Sequence, residues 1–292
     1  MASQERGQGT VEWVGLVLLV SLAALAAAAA AGGVPGAEVG RAIGSKLACA
    51  VRIGAACDPE ADPLAAEYGP KVAAMLREHA PTIHLSGDAD QLPVDHRRCR
   101  EPACATASRS GRVSRTAAGL PATAFTRVVD CRPEAAERTE SAGADCSGER
   151  AGNVYLQFWL YYPDSRTEPW GEWGHHRDDW ESLQVRVGSR VDGRASSHRS
   201  YNYRGGIRNW ASDAGIRPRP GWGPYTGELH VTSASHAGHV RSTRRGTRRV
   251  PARRLRLVPI EPLDAAAGSE HDFAVVPPWL KPVYNDPEET GT

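Results

Sequence analysis

The chain is poor in lysine. Lys46, Lys71 and Lys281 are the only ones in 292 residues, so its positive charge is almost all arginine. That bias reads as coding composition rather than function. Nor is there a surplus of either sign, since 35 basic and 34 acidic residues leave a formal charge of +1. A near-neutral chain is no general nucleic-acid binder. No C-x-x-C pair occurs, which argues against a structural zinc site. A P-loop, a G-x-S-x-G elbow and a Cys–His dyad are all missing, so nothing supports a serine or cysteine hydrolase. No internal repeat is evident, and only one long apolar run exists.

That run spans residues 11–31 and carries no charge except Glu12. About 20 apolar residues suffice to cross a bilayer once as a helix. A secretory signal is the competing reading, but its apolar core is normally about 7–15 residues. The stretch Arg6-Gly7-Gln8-Gly9-Thr10-Val11-Glu12-Trp13 resembles the N-termini of Flp pilins and TadE-like pseudopilins. The resemblance implies cleavage after Gly7, a glutamate fifth in the mature chain, and everything after residue 32 outside the cell. An ordinary signal anchor gives the same topology.

Six cysteines follow in neighbouring pairs: Cys49 and Cys57, Cys99 and Cys104, Cys131 and Cys146. Behind an export signal, an even count reads as disulfides, paired as neighbours, although sequence alone allows fifteen connectivities. The expected organisation is an anchor over 1–35, a disulfide-bearing helical linker over 36–66, a main domain over 67–285 and a polar tail over 286–292. Many short apolar strands with Gly and Pro turns predict a mainly β main domain, a β-sandwich with a few peripheral helices. Helix is expected over 63–80, interrupted at Gly69-Pro70.

The centre of the domain is the stretch 155–181, YLQFWLYYPDSRTEPWGEWGHHRDDWE. Residues 154–162 are apolar on both faces and predict a central strand. From Glu181 to Val187 the chain alternates, with Leu183, Val185 and Val187 on one side. The same phase puts Asp179 and Glu181 on that apolar side. Two carboxylates facing a core are costly unless something neutralises them. Pairing with Arg177 or another arginine is one answer. The other is a divalent cation held by Asp164, His176, Asp179, Glu181 and His236, with Asp164 and His176 coming from the loop between the two strands. Hard carboxylate oxygens favour Ca²⁺ or Mg²⁺ over Mn²⁺ or Zn²⁺. Affinity is expected to fall below about pH 6.5, because imidazoles must be neutral to ligate.

The segments YLQFWLYYPDS, GHHRDDWESLQVRV and HVTSASHAGH together resemble the necrosis- and ethylene-inducing-peptide-like (NLP) cytolysins, and HAPTIHLSGDADQLPVDH resembles the opening of vacuolar-protein-sorting-type domains. The resemblance implies a β-sandwich with a cation in a cleft at one end, held by Asp164, His176, Asp179 and Glu181, with His236 nearby and His239 as the fallback. It departs from the family heptapeptide at His175, where the family has glycine, and at Asp178, where it has histidine. The second departure speaks against membrane lysis.

Trp170 and Trp173 flank the charged loop and could stack on a sugar or lie at a membrane interface, with His175 and Asp178 beside them. The arginine run 241–256 reads as a solvated loop. The expected function is recognition by a single-pass cell-membrane protein with its main domain outside. The cation and its aromatics would bind a polar glycan, glycolipid or envelope ligand. Two alternatives stand beside it. One is a metal-dependent hydrolase with Glu181, Asp178 or His175 as base. The other is a minor subunit of a Tad-type pilus, resting on Glu12 and partnered by other pilus subunits.

Overall fold

The computed structural model describes residues 62–86, 89–109, 113–165, 175–196, 221–233, 235–240, 248–260 and 273–289. The chain divides at Asp62 into an N-terminal unit and the unit Pro63–Thr292 that holds both sheets. The apolar run 11–31, Glu12 and the Cys49–Cys57 pair lie outside the described residues, as do Trp170 and Trp173. No helix among the described residues is long and apolar enough to cross a membrane.

The unit is mainly β, as expected, with a few short helices at its edge. Helices α1 (Pro63–Tyr68) and α2 (Pro70–Glu78) are split at Gly69, which sits at φ 79. A residue without Cβ takes that left-handed turn without strain, and Pro70 then starts the next helix without needing its missing N–H. Short helices α3 (Pro102–Ala105) and α4 (Ala136–Ser141) flank the sheets.

The larger sheet has six strands in the order β10–β2–β3–β4–β5–β6. They are β2 (Thr123–Asp130), β3 (Val154–Ser165), β4 (His176–Val187), β5 (Val191–Ser196), β6 (Gly223–Pro224) and β10 (Arg256–Pro259). The smaller sheet has the order β8–β7–β1–β9, from β1 (Thr82–Leu85), β7 (Glu228–Val231), β8 (Gly238–His239) and β9 (Arg248–Val250). Each sheet contains one parallel pair, β1 with β7 and β10 with β2, so both are mixed.

All twelve residues of β3 are buried, which is why its sequence is apolar on both faces. Leu156, Phe158, Leu160 and Tyr162 share one core with Leu183 and Val185 of β4 and with Ile83, Leu85, Leu229 and Val231 of the smaller sheet. On the other face, which we call the outer face, Trp159 and Tyr161 pack with Trp180, Phe125, Val283 and Tyr284. The segment 273–289 therefore forms a strap over the larger sheet. Gln157, fully buried on that face, donates to Val283 O (2.9 Å) and Tyr284 O (3.2 Å) and accepts from the Trp159 indole (2.9 Å). A buried amide satisfied on both sides costs little.

Two disulfides are present, Cys99–Cys104 and Cys131–Cys146, in the neighbour pairing expected. The first closes a loop beside Asp95, a buried carboxylate gripped by Arg97 and Arg256 at 2.8–3.0 Å. Burial works to raise the Asp95 carboxyl, but the two guanidinium groups outweigh it and hold it down at about 2. The folded value lies below the unfolded one, so this pairing stabilises the fold above about pH 4 and is lost as pH falls towards 2. With the half-exposed arginines screened by water, it contributes between about 1 and 2 kcal/mol. Replacing Asp95 with Asn is expected to flatten urea stability against pH over that window while leaving the limb above pH 5 parallel to wild type. An unchanged acid limb would count against it.

Candidate functional site

Antiparallel pairing of β3 with β4 runs without a slip from Val154↔Val187 to Ser165↔His176. Asp164 and His176 therefore lie in the strands, not in the loop between them, because the ladder continues past the apolar run. Asp179 stands opposite Tyr162 and Glu181 opposite Leu160. Both carboxylates are 0 % exposed, on the core side that the alternation predicts.

The smaller sheet supplies the partners. Between β7 and β8 the chain turns tightly, with Thr232 N donating to Ala237 O and the Thr232 and Ser235 hydroxyls 3.0 Å apart. His236 leaves this turn at φ 50, and its imidazole stacks on Tyr162 with centroids 4.0 Å apart and planes 4° from parallel. His236 Nδ1 lies 3.2 Å from Asp179 Oδ2. Two residues on, the Gly238 N–H donates to Glu181 Oε2 at 3.3 Å.

Asp178 and His236 are the two non-glycine residues with left-handed backbone among those described. Such strain costs on the order of 1 kcal/mol or more per residue and collects at functional sites. Alternation along β4 sends the neighbouring carboxylates Asp178 and Asp179 to opposite faces of the strand. Asp178 accepts from Arg100 Nη2 (2.7 Å), the Tyr161 hydroxyl (2.7 Å) and Ala274 N (3.0 Å), all on the outer face. It is a satisfied structural carboxylate that pins the start of the strap, and it stands away from Asp179 and Glu181.

The remaining expected residues divide. Asp164, 2 % exposed, accepts from Gln91 Nε2, and His175 Nε2 lies 3.4 Å from its other oxygen. His176 Nδ1 contacts the Arg177 carbonyl at 3.2 Å. His239 pairs across the strands with His230, whose ring stacks on His84 at 4.9 Å. Asp179, Glu181 and His236 are thus brought together. Asp164 with His175 forms a second polar pair one step along β3, and alternation puts His176 on the Asp178 side of β4.

No group of three His, Cys, Asp or Glu side chains among the described residues stands in ion-holding geometry. What fits a cation is the donor chemistry. Asp179 Oδ1, His236 Nε2 and the Tyr162 hydroxyl are buried without a hydrogen-bond partner among the described residues. Burial, and then the charges of Glu181 and Asp179, drive the Tyr162 hydroxyl far above its ordinary range, so it is a neutral phenol. Among cations, Lys281 on the strap feels the pair. Burial brings its ammonium down to about 8, although Glu181 and Asp179 pull the other way. Its Nζ sits 5.5 Å over the Trp159 ring, on the outer face. Tyr162, Gln91 and Gly238 escaped the sequence reading. Tyr162 had a signal, since it shares the phase of Asp164.

No family model matches the chain, and no curated protein matches it. Two solved structures are similar over 71 % of it. "NLPPya in complex with mannosamine" is 18 % identical with 84 % of that chain covered and a TM-score of 0.34. "NLPPya in complex with glucosamine" is 19 % identical with 83 % covered and a TM-score of 0.33. Superposition at that level carries neither fold nor ligand from one chain to the other.

Proposed function

We propose that the main domain holds one divalent cation at the Asp179–Glu181–His236 cluster and uses it to bind a polar ligand, a glycan or a glycolipid head. The carrying observation is the wholly buried Asp179 paired with the wholly buried His236. Each keeps one polar atom unpartnered among the described residues, and no arginine salt bridge to Asp179 is found among them. Uncompensated buried carboxylate costs several kcal/mol, and a cation removes that cost. A bound cation would supply direct ligation of hydroxyl oxygens, with Ca²⁺ or Mg²⁺ preferred by the carboxylates. The residues do the rest. Asp179 at Nδ1 fixes the tautomer of His236 and leaves Nε2 as a donor atom for the ion. Tyr162 holds the ring flat, and the Gly238 N–H orients Glu181. Asp164, with His175 beside it, lies two residues along β3 from Tyr162 and would form the rim.

In this reading the domain lies outside the cell on the anchor 11–31, in an NLP-like sandwich. The test uses the full chain in detergent. Elemental analysis of the native protein and calorimetric titration of chelator-stripped protein with Ca²⁺, Mg²⁺, Mn²⁺ and Zn²⁺ are expected to give about one ion per chain, with affinity lost on His236→Ala. A glycan and lipid-head screen with and without chelator then follows. Native protein free of stoichiometric metal that also takes up none of the four ions would end the proposal.

A further inference from the structure

A second polar assembly lies on the outer face of the larger sheet, and the cation reading makes no use of it. Tyr155 on β3, Arg186 on β4, Arg194 on β5 and Trp222 before β6 all converge on the end of the strap. The Glu288 carboxylate, 5 % exposed, takes three donors: the Tyr155 hydroxyl at 2.7 Å, Arg186 Nη1 at 3.0 Å and the Trp222 indole N–H at 2.6 Å. Arg194, 0 % exposed, donates through Nη2 to Pro287 O and to Glu289 O at 3.2 Å, and through Nε to Gln184 Oε1 at 2.7 Å. Both guanidinium carbons stand over the Trp222 ring, at 4.7 Å for Arg186 and 4.4 Å for Arg194. Arg186 is oriented from behind by Asp192 at 3.0 Å.

Tying down a strap needs far less than this. A buried guanidinium is expensive, and an apolar contact would hold a strap more cheaply. The assembly instead reads a specific pattern: one carboxylate with three donors, and the backbone carbonyl on each side of it with a fourth group. The segment it holds is a tight turn, in which Glu289 N donates to Asp286 O at 3.1 Å and the Asp286 carboxylate accepts from Glu288 N and Glu289 N, so the grip is on an acidic turn, by side-chain charge for identity and by main-chain oxygen for position.

We propose that Tyr155, Arg186, Arg194 and Trp222 form a binding site for the carboxylate of an acidic peptide turn, which the chain closes on itself with Pro287–Glu289. When residue 288 cannot fill it, the pocket takes a carboxylate from solution. The pocket lies on the other face of the sheet from the cation cluster, with Tyr155 and Arg186 five or more residues away along the β3–β4 ladder, and does not depend on it.

Chemical rescue of the full-length chain tests this. Glu288→Ala is expected to lower Tm by several degrees. Sodium acetate at ~100 mM, well above the millimolar Kd expected of so small a ligand, should recover about half of that loss. Sodium chloride at the same ionic strength and pH should not, and wild type should respond equally to the two salts. Adding Arg186→Ala to Glu288→Ala should abolish the difference. Where Glu288→Ala does not fold in chloride, refolding yield in acetate against chloride is the readout. Acetate no better than chloride, by either measure, overturns the proposal.

Discussion

Changing Asp179 and Glu181 together to Asn and Gln is expected to take bound metal from about one ion per chain to near zero, with the far-ultraviolet dichroism unchanged. Both amides keep the volume of the acids they replace, and both sites are fully buried, so packing against Tyr162 and Leu160 survives. What goes is charge. In the absence of metal the doubly substituted chain should be more stable than wild type by about 1–3 kcal/mol, because a buried carboxylate without a cation is costly. In saturating metal the order should reverse, since only wild type gains binding energy in the folded state. This crossover separates a metal site from a merely acidic patch. Ion uptake equal to wild type would move the site elsewhere. Equal stability in both conditions would mean that His236 and its neighbours already compensate the pair.

Loss of the Cys131–Cys146 bridge is expected to have the larger effect of the two disulfides. It spans 15 residues against 5 for Cys99–Cys104. Loop-closure entropy then gives about 3 kcal/mol for the longer loop and about 2 kcal/mol for the shorter. Packing widens the gap. Cys131 and Cys146 belong to a small buried cluster with Val129, Ala144 and Tyr155, so serines there also bury two hydroxyls. Tyr155 in turn holds Glu288. Urea unfolding of the Cys131→Ser/Cys146→Ser and Cys99→Ser/Cys104→Ser chains, under oxidising conditions, measures both. Equal midpoints for the two, or a larger loss from the shorter loop, would contradict the entropy account.

Local pattern carried much of this fold. Alternation after Glu181 placed Asp179 and Glu181 on the core side because side-chain direction in a strand has period two and the ladder has no bulge there. Apolar residues on both faces of 154–162 marked the central strand for the same reason. The extent of that ladder was not legible. Asp164 and His176 looked like loop residues because polar side chains at a strand end carry no apolar period. The parallel pairs β1–β7 and β10–β2 were equally hidden, since they join segments far apart in sequence and rest on non-local hydrogen bonds. Strand β9 came from the run 241–256 that read as a solvated loop, because its arginines masked the apolar position Val250, and β10 starts at the last residue of that run, Arg256. At the site, His236 was found as a residue type near the end of a strand. Its stacking on Tyr162 depends on a left-handed backbone that composition does not announce. Asp178 shows the reverse failure. Read as a ligand-binding residue or a base beside the cation, it lies on the opposite face of β4 from Asp179, as alternation requires, and is held there by Arg100 and Tyr161.

The closing of the sheet by residues 273–289 also sets an order of events during synthesis. β3 ends at Ser165, and its Trp159 and Tyr161 side acquires Val283 and Tyr284 only when the far end of the chain has been made. Until then a newly formed sheet presents aromatic surface to whatever surrounds it. A chain arrested or cleaved before Phe273 should therefore behave as a sticky intermediate, in need of a chaperone wherever it folds.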